Sequence, residues 1–186
     1  MLPVAHGLLA ATSVAAFRGA NSASNRSKEL LLGAVLGIAP DFDYSLNYLG
    51  TFGGGWHHAF THSLLFGCFI GCLVAVCIRP FKWKSALIYS LAIISHPLLD
   101  YCFTESRGIE LLWPFTSTRY RLHLPNPIDY DWSNSSFSAA TFDILKISLL
   151  EFMIFAPLFI FVFWLTGRTP GSTNAVRPQL PTSWRN

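Results

Sequence analysis

The chain has 186 residues and a formal net charge of +3, with 52% hydrophobic, 15% aromatic and only 12% charged residues. Soluble domains carry about 25% charged residues, so this composition argues against a soluble enzyme and favours one membrane-embedded domain. The small net charge, with no basic patch, also argues against a nucleic-acid-binding protein.

Five apolar runs predict an all-α protein, a polytopic membrane bundle of about four to five helices. The runs lie at about 3–17, 30–40, 63–78, 85–100 and 144–165. Only the last reaches the roughly 20 residues that cross a hydrocarbon core of about 30 Å. The third and fourth nearly span, and the first two are expected to form a tilted or partly inserted pair. We therefore expect a membrane-embedded domain over 1–166 and a disordered cytoplasmic tail over 167–186.

Charge asymmetry predicts the orientation of the helices. If they alternate, the segments 18–29, 79–84 and 166–186 share one side and hold nine Lys and Arg residues against a single acid, Glu29. Cytoplasmic loops carry such an excess, so this side is predicted to be cytoplasmic. The opposite side holds eight acids and a long loop at about 101–140. The chain is accordingly predicted to be a multi-pass inner-membrane protein with a cytoplasmic C-terminus.

Ionisable residues lie at the predicted extracytoplasmic ends of the helices, where an unpaired charge is costly. They are His6 at the start of the first helix, Asp41 and Asp43 after the second, His62 at the start of the third, and His96 and Asp100 at the end of the fourth. Three imidazoles and three carboxylates form a donor set typical of a divalent metal site. We predict that they share one centre of one or two ions, with zinc as the first choice and manganese or magnesium as alternatives.

Local sequence supports this convergence. Pro40 prevents the second helix from continuing, so the carboxylates that follow it lie at a break. Thr61 is expected to cap the third helix and to place His62 in its first turn. The i,i+4 spacing of His96 and Asp100 puts both side chains on one helix face.

The alternative interpretation treats these residues separately. A lone His in an apolar helix is more often a hydrogen-bonded core residue than a ligand, and Pro-Asp-x-Asp is more often a turn or cap. The common membrane level of all six residues favours a shared site instead. His57 is a further candidate, as a ligand or as the partner of one. His58 is a weaker candidate, because it shares a face with His62 only if the third helix begins earlier.

The extracytoplasmic loop contains the apolar segment 111–115, followed by Arg119. It is either a loop that rests on the membrane or a lid over the site. In the second case Arg119 is predicted to grip an anionic group such as phosphate, for which guanidinium has a matching fork of donors.

Several motifs occur in a fixed order along the chain. They are Pro3-x-x-His6, Pro40-Asp41-x-Asp43, His57-x4-His62-Ser63, His96-Pro97-Leu98-Leu99-Asp100, and Leu112-Trp113-Pro114-Phe115 with Arg119. Together they resemble the YdjM-type, LexA-regulated inner-membrane family of metal-dependent hydrolases, over about residues 1–122. The family usually has His-Arg-Gly where this chain has His57-His58-Ala59, so the role of that arginine is not carried over. The resemblance implies a bound metal and hydrolysis.

We therefore expect a membrane-bound hydrolase in which metal-activated water attacks an ester or phosphoester, including a lipid-like one, at the outer face. Six donors exceed the three of a mononuclear catalytic zinc, which allows a second ion bridged by an aspartate. Asp43 is expected to orient a ligating His or accept the proton, and Arg119 to stabilise an anionic substrate. The expected partners are the lipid bilayer and a lipid or phosphoester substrate.

Two other functions compete with this one. A metal- or proton-linked transporter also buries carboxylates at helix breaks, although such folds commonly show internal repeats and this chain shows none. A nonenzymatic, metal-stabilised membrane scaffold requires no open coordination position.

Overall fold

The computed structural model describes residues 3–18, 23–44, 57–78, 81–103, 107–125 and 137–167. Over this part of the chain, the regular structure is helical and the strand pairing is limited to one isolated β-bridge. The five α-helices are α1 (Pro3–Arg18), α2 (Ala23–Ile38), α3 (Leu64–Ile78), α4 (Trp83–Phe103) and α5 (Phe137–Gly167). The predicted all-α class is confirmed for the described residues. Beyond Gly167, the predicted tail lies outside them.

Two helices are long and apolar enough to cross a membrane, α4 over Trp83–Phe103 and α5 over Thr141–Gly167. The prediction that only the last run reaches spanning length is therefore wrong for α4. That helix continues beyond its apolar run through Trp83 and Lys84 at one end and through 101–103 at the other. The loop predicted at about 101–140 is also shorter than expected, because residues 101–103 belong to α4 and residues 137–140 belong to α5. The described residues thus contain two candidate spans, fewer than a bundle of four or five.

Small residues let the helices approach closely at two crossings. A Cβ at Gly71 of α3 would overlap the backbone of Ser90 in α4, and a Cβ at Gly37 of α2 would overlap Ala10 and the carbonyl of His6 in α1. Small residues at such contacts are typical of packed membrane helices. The second crossing places the N-terminal turns of α1 beside the end of α2, and this neighbourhood forms part of the site.

The outward faces of α3 and α5 are apolar. Phe69 and Val76 of α3, and Leu145, Ile160 and Phe161 of α5, are each between 57% and 68% exposed. Large exposed apolar surfaces mark interaction sites on proteins. Their position on two apolar helices, α3 of 15 residues and α5 of 31, fits contact with lipid.

Two short 3₁₀ turns beside the helices carry Asp41 and His62. The first, Ala39–Phe42, follows α2 at the break predicted from Pro40. The second, Phe60–His62, precedes α3. The N-cap of α3 is Ser63, which has an extended backbone and whose Oγ accepts a hydrogen bond from the Phe66 amide at 3.1 Å. The prediction of Thr61 as the cap is wrong, because its hydroxyl donates to Asp43 instead.

Candidate metal centre

Five of the predicted residues come together in one buried cluster at the ends of the helices. They are His6 of α1, Asp41 of the first 3₁₀ turn, His62 of the second, and His96 and Asp100 of α4. The three imidazoles are at most 1% exposed and Asp100 is 3% exposed. The Asp41 side chain is 26% exposed, so the cluster reaches the surface on its side. We call these five residues the His/Asp cluster.

Five of the six distances among four donor atoms of the His/Asp cluster lie near those of a tetrahedral ligand set. Nε2 of His96 lies 3.1 Å from Nε2 of His62, 3.4 Å from Oδ1 of Asp41 and 3.3 Å from Oδ2 of Asp100. Nε2 of His62 lies 3.7 Å and 3.6 Å from the same two oxygens. A tetrahedral zinc ion with bonds of about 2.0–2.2 Å separates its ligand atoms by about 3.3–3.6 Å. The donor atoms therefore fit a divalent ion of this kind.

The opposite ring nitrogens of the two imidazoles are held in place. Nδ1 of His96 donates to the Gly37 carbonyl at 2.6 Å, since a carbonyl only accepts. Nδ1 of His62 lies 3.0 Å from the Thr61 hydroxyl. That hydroxyl gives its proton to Asp43, so it accepts from His62. Metal-ligating histidines are usually held in this way, through the nitrogen that does not bind the ion.

These hydrogen bonds leave the Nε2 atoms of His62 and His96 as two facing acceptors at the centre of the His/Asp cluster. With their protons on Nδ1, neutral His62 and His96 turn two lone pairs toward each other at 3.1 Å. Two acceptors at this distance need a cation between them, either a proton or a metal ion. Burial lowers the pKa of His62, but the Asp41 and Asp43 carboxylates outweigh it and raise that pKa, which favours a proton at this place.

The Asp41 and Asp43 carboxylates, which lie outside the spanning helices, have lowered pKa values. Burial would raise the pKa of Asp41, but the neighbouring His62 and His96 imidazoles outweigh it and hold that pKa well below its usual value. The pKa of Asp43 is likewise held low by His57, His62 and Thr61, against the effect of burial. Metal ligands must be deprotonated to bind, so Asp41 is in the form that a cation requires.

Asp43 lies behind His62, on the side away from the other donors. Its Oδ1 accepts a hydrogen bond from Nδ1 of His57 at 2.8 Å, and its Oδ2 accepts one from Thr61 and lies 3.4 Å from Nδ1 of His62. The arrangement matches a carboxylate that orients a ligating imidazole. His57 contacts the cluster through this carboxylate.

His58 reaches the cluster although the sequence made it the weaker candidate. Its Nε2 lies 3.8 Å from Oδ2 of Asp100, and its ring lies on that of His57 with centroids 4.0 Å apart. Burial lowers the pKa of His58 to about 3, so its imidazole is neutral and able to bind an ion. His57, His58 and His62 also form a possible ligand group of their own. The backbone of His58 has φ of +65°, and this left-handed conformation replaces the helix that the sequence argument required.

His6 is buried with its ring nitrogens unsatisfied. Neither nitrogen has a hydrogen-bond partner among the described residues, although Nε2 lies 3.4 Å from Oδ1 of Asp100 and the ring stacks on His96 at 3.7 Å. An unsatisfied buried polar atom is costly, and a bound ion would remove that cost for one of the two ring nitrogens. The turn that carries His6 is fixed by Glu151 of α5, which is fully buried and accepts a hydrogen bond from the Ala5 amide at 3.0 Å. The sequence signal for Glu151 was a charge inside the longest apolar run.

Arg119 lies in the loop after α4 and pairs with an acid of the same loop. Its Nη2 is 3.3 Å from Oε1 of Glu110. The loop is attached to the site segment, because the Glu110 amide donates to the His58 carbonyl and the Leu64 amide donates to the Leu111 carbonyl, both at 3.0 Å. The loop therefore packs beside the cluster, and the anion-binding role of Arg119 stays a prediction.

Comparison with known proteins establishes the family. A model of the YdjM inner membrane protein family matches residues 1–170, and the chain belongs to this family. Inner membrane protein YbcI of Escherichia coli (strain K12) is 33% identical over 101 residues, which are 49% of this chain and 56% of that relative. The match thus spans about half the length of the curated relative. No solved structure matches the chain. The family resemblance and the inner-membrane location predicted from sequence are confirmed.

Proposed function

We propose that this member of the YdjM inner membrane protein family is a membrane-bound, metal-dependent hydrolase of esters or phosphoesters. The observation that carries the proposal is the pair of imidazoles, His62 and His96, whose facing lone pairs are flanked by two carboxylate oxygens at tetrahedral spacing. The exposure of Asp41 supports catalysis over a purely structural metal, because a catalytic zinc takes three protein ligands and leaves its fourth position to water, and Asp41 is the donor that solvent reaches.

The donor types favour zinc. Two of the four atoms at tetrahedral spacing are imidazole nitrogens, whereas magnesium prefers oxygen ligands in octahedral geometry. The neighbourhood of Asp100 also supports room for a second ion. Its Oδ1 faces His6, while its Oδ2 faces His58, His62 and His96. A carboxylate with imidazole nitrogens near each of its two oxygens is suited to bridging two metals.

The chemistry divides between the ion and the protein. A bound divalent ion lowers the pKa of a coordinated water to about 7, which supplies hydroxide at neutral pH. Asp43 holds His62 through Nδ1 and so aims Nε2 into the cluster. His57 joins Asp43 to the surface, since its side chain is 29% exposed, and this pair gives a proton a path to solvent. We assign Arg119 to the anionic part of the substrate, because guanidinium donates to phosphate or carboxylate oxygens in pairs.

The membrane arrangement is part of the proposal. We place the His/Asp cluster toward the extracytoplasmic face and the C-terminus in the cytoplasm, with the helices alternating in direction. The contacts at the opposite end of the bundle support this layout. Arg26 near the start of α2 donates to the Phe163 carbonyl at 2.8 Å and to the Thr166 hydroxyl at 2.7 Å, near the end of α5. The two ends predicted to be cytoplasmic are therefore at the same level.

Metal content and turnover of soluble substrates test the proposal. The purified protein is expected to hold zinc by elemental analysis and to hydrolyse bis(p-nitrophenyl) phosphate or p-nitrophenyl acetate. Asp100→Asn should lose both properties, and His123→Ala, which removes an exposed imidazole, should keep both. Absence of metal from the wild type after growth in zinc, or equal metal in Asp100→Asn, would overturn the metal site. Full metal without turnover of either substrate would replace the hydrolase with a metal-stabilised scaffold.

A further inference from the structure

An apolar groove runs over α1, between α2 and α5. It has a volume of about 310 Å³ and is open along one side. Its walls include Val4, Gly7 and Leu8 of α1, Ala34 and Ile38 of α2, and Phe152 of α5. Every lining side chain is apolar, so the groove offers no polar side chain to recognise a peptide or a polar head group.

The groove lies at the same end of the bundle as the His/Asp cluster. Val4 and Gly7 are close neighbours of His6 on α1, and Ile38 immediately precedes the 3₁₀ turn that carries Asp41. Gly7 forms part of the floor, where a Cβ would lie in van der Waals contact with Cδ1 of Ile38 at 3.4 Å. Toward the other end of the bundle, Arg26 joins α2 to α5. The groove therefore begins at the level of the His/Asp cluster and extends along α1 toward Ala11.

We infer that this groove binds one acyl chain of a membrane lipid whose ester or phosphoester group lies at the His/Asp cluster. The inference rests on the proposed hydrolase and assigns its substrate class. The residues adjoining the walls are apolar and exposed, with Val35 at 50% beside Ala34 and Met153 at 64% beside Phe152. These side chains are suited to lipid, and a chain could therefore enter sideways from the bilayer without crossing water.

Photocrosslinking tests the groove without any need for turnover. The protein is reconstituted in vesicles of phosphatidylglycerol that carry a diazirine in one acyl chain, and labelled residues are mapped by mass spectrometry. We expect label at Gly7, Leu8 and Phe152. Ala34→Phe, which fills the groove, should lose most of it, while Val35→Phe, which adds the same ring on the exposed neighbour, should keep it. Metal content reports whether each variant is folded, and Gly7→Val fills the groove from the floor if Ala34→Phe is not.

A chain-length series tests the link to the active site. With soluble p-nitrophenyl esters or phosphodiesters, each methylene that enters the groove should lower KM about fourfold, from about 0.8 kcal/mol per buried CH₂. Ala34→Phe should flatten this dependence and Val35→Phe should retain it.

The two proposals fail separately. Lipid label in the groove without turnover of any substrate removes the hydrolase, and with it the assignment of lipid as substrate. Turnover with no chain-length dependence, together with label that Ala34→Phe does not reduce, overturns the groove and leaves the hydrolase. Crosslinks from the groove to a second copy of the chain or to its C-terminal tail would also overturn the lipid assignment.

Discussion

Replacing His96 with Ala is expected to abolish the thermal stabilisation that zinc gives to the protein. Nε2 of His96 lies within 3.4 Å of donor atoms on His62, Asp41 and Asp100, so the substitution removes the atom nearest to all the others. Because the other three donors remain, any residual binding should be weak.

The magnitude follows from the linkage between binding and folding. An ion that binds only the folded state adds about 2.7 kcal/mol at 100 times its Kd. In a protein of this length 1 kcal/mol shifts Tm by about 2–4 °C, so zinc at that excess should raise the wild-type Tm by about 5–11 °C. A ligand loss that weakens binding about a thousandfold leaves less than about 0.1 kcal/mol at the same concentration, and the shift disappears.

The assay is a thermal melt of chelator-treated protein in detergent, with zinc titrated back. The comparison is the difference in Tm with and without zinc, which separates metal binding from any change in metal-free stability. His123→Ala is the matched control and should show the full rise. If zinc raised the Tm of His96→Ala as much as that of the wild type, the shared centre would be refuted. The clustered residues would then be separate helix caps and core histidines.

Three further outcomes follow from the same structure. Asp43→Asn should weaken zinc binding about 10–100-fold without abolishing it, as measured by competition with a chelating dye, because this carboxylate holds a ligand and is not one. Arg119→Ala should lower turnover of phosphodiesters while metal content stays intact, with Arg121→Ala as the control; equal loss of metal and turnover would show a structural role. In a cysteine-free background, an impermeant thiol reagent applied from outside should label a cysteine at Ser117 and miss one at Lys82, and the reverse pattern would invert the proposed topology.

Local sequence rules were sufficient for the elements that depend on local chemistry. The break after α2 follows from Pro40, which lacks an amide hydrogen and disfavours α-helical geometry in the residue before it. The shared face of His96 and Asp100 follows from helical periodicity, and their donor atoms lie 3.3 Å apart. The length of α4 was underestimated because a count of apolar residues stops at Lys84 and Asp100, whereas the helix continues through both.

The positions that sequence did not predict depend on contacts between distant segments. Thr61 and Ser63 are both good N-caps by type, and the choice between them depends on Asp43, 18 residues before Thr61, which takes the Thr61 hydroxyl. The inward position of His58 depends on a left-handed backbone whose carbonyl is held by the Glu110 amide. No periodicity encodes such a pairing.

Contacts between distant segments also explain why metal binding and folding should be coupled in this protein. The His/Asp cluster joins α1 and α4 to the two 3₁₀ turns, and its members are charged or polar groups buried among apolar helices. His62 and His96 face each other at 3.1 Å beside two carboxylates, and both ring nitrogens of His6 lack a hydrogen-bond partner among the described residues. Ions held by the His/Asp cluster would join these segments, so zinc should protect the amides of the two 3₁₀ turns and of the first turn of α1 from hydrogen exchange more than those of α5. Equal protection throughout the chain would indicate a general effect of zinc and not a centre at these helix ends.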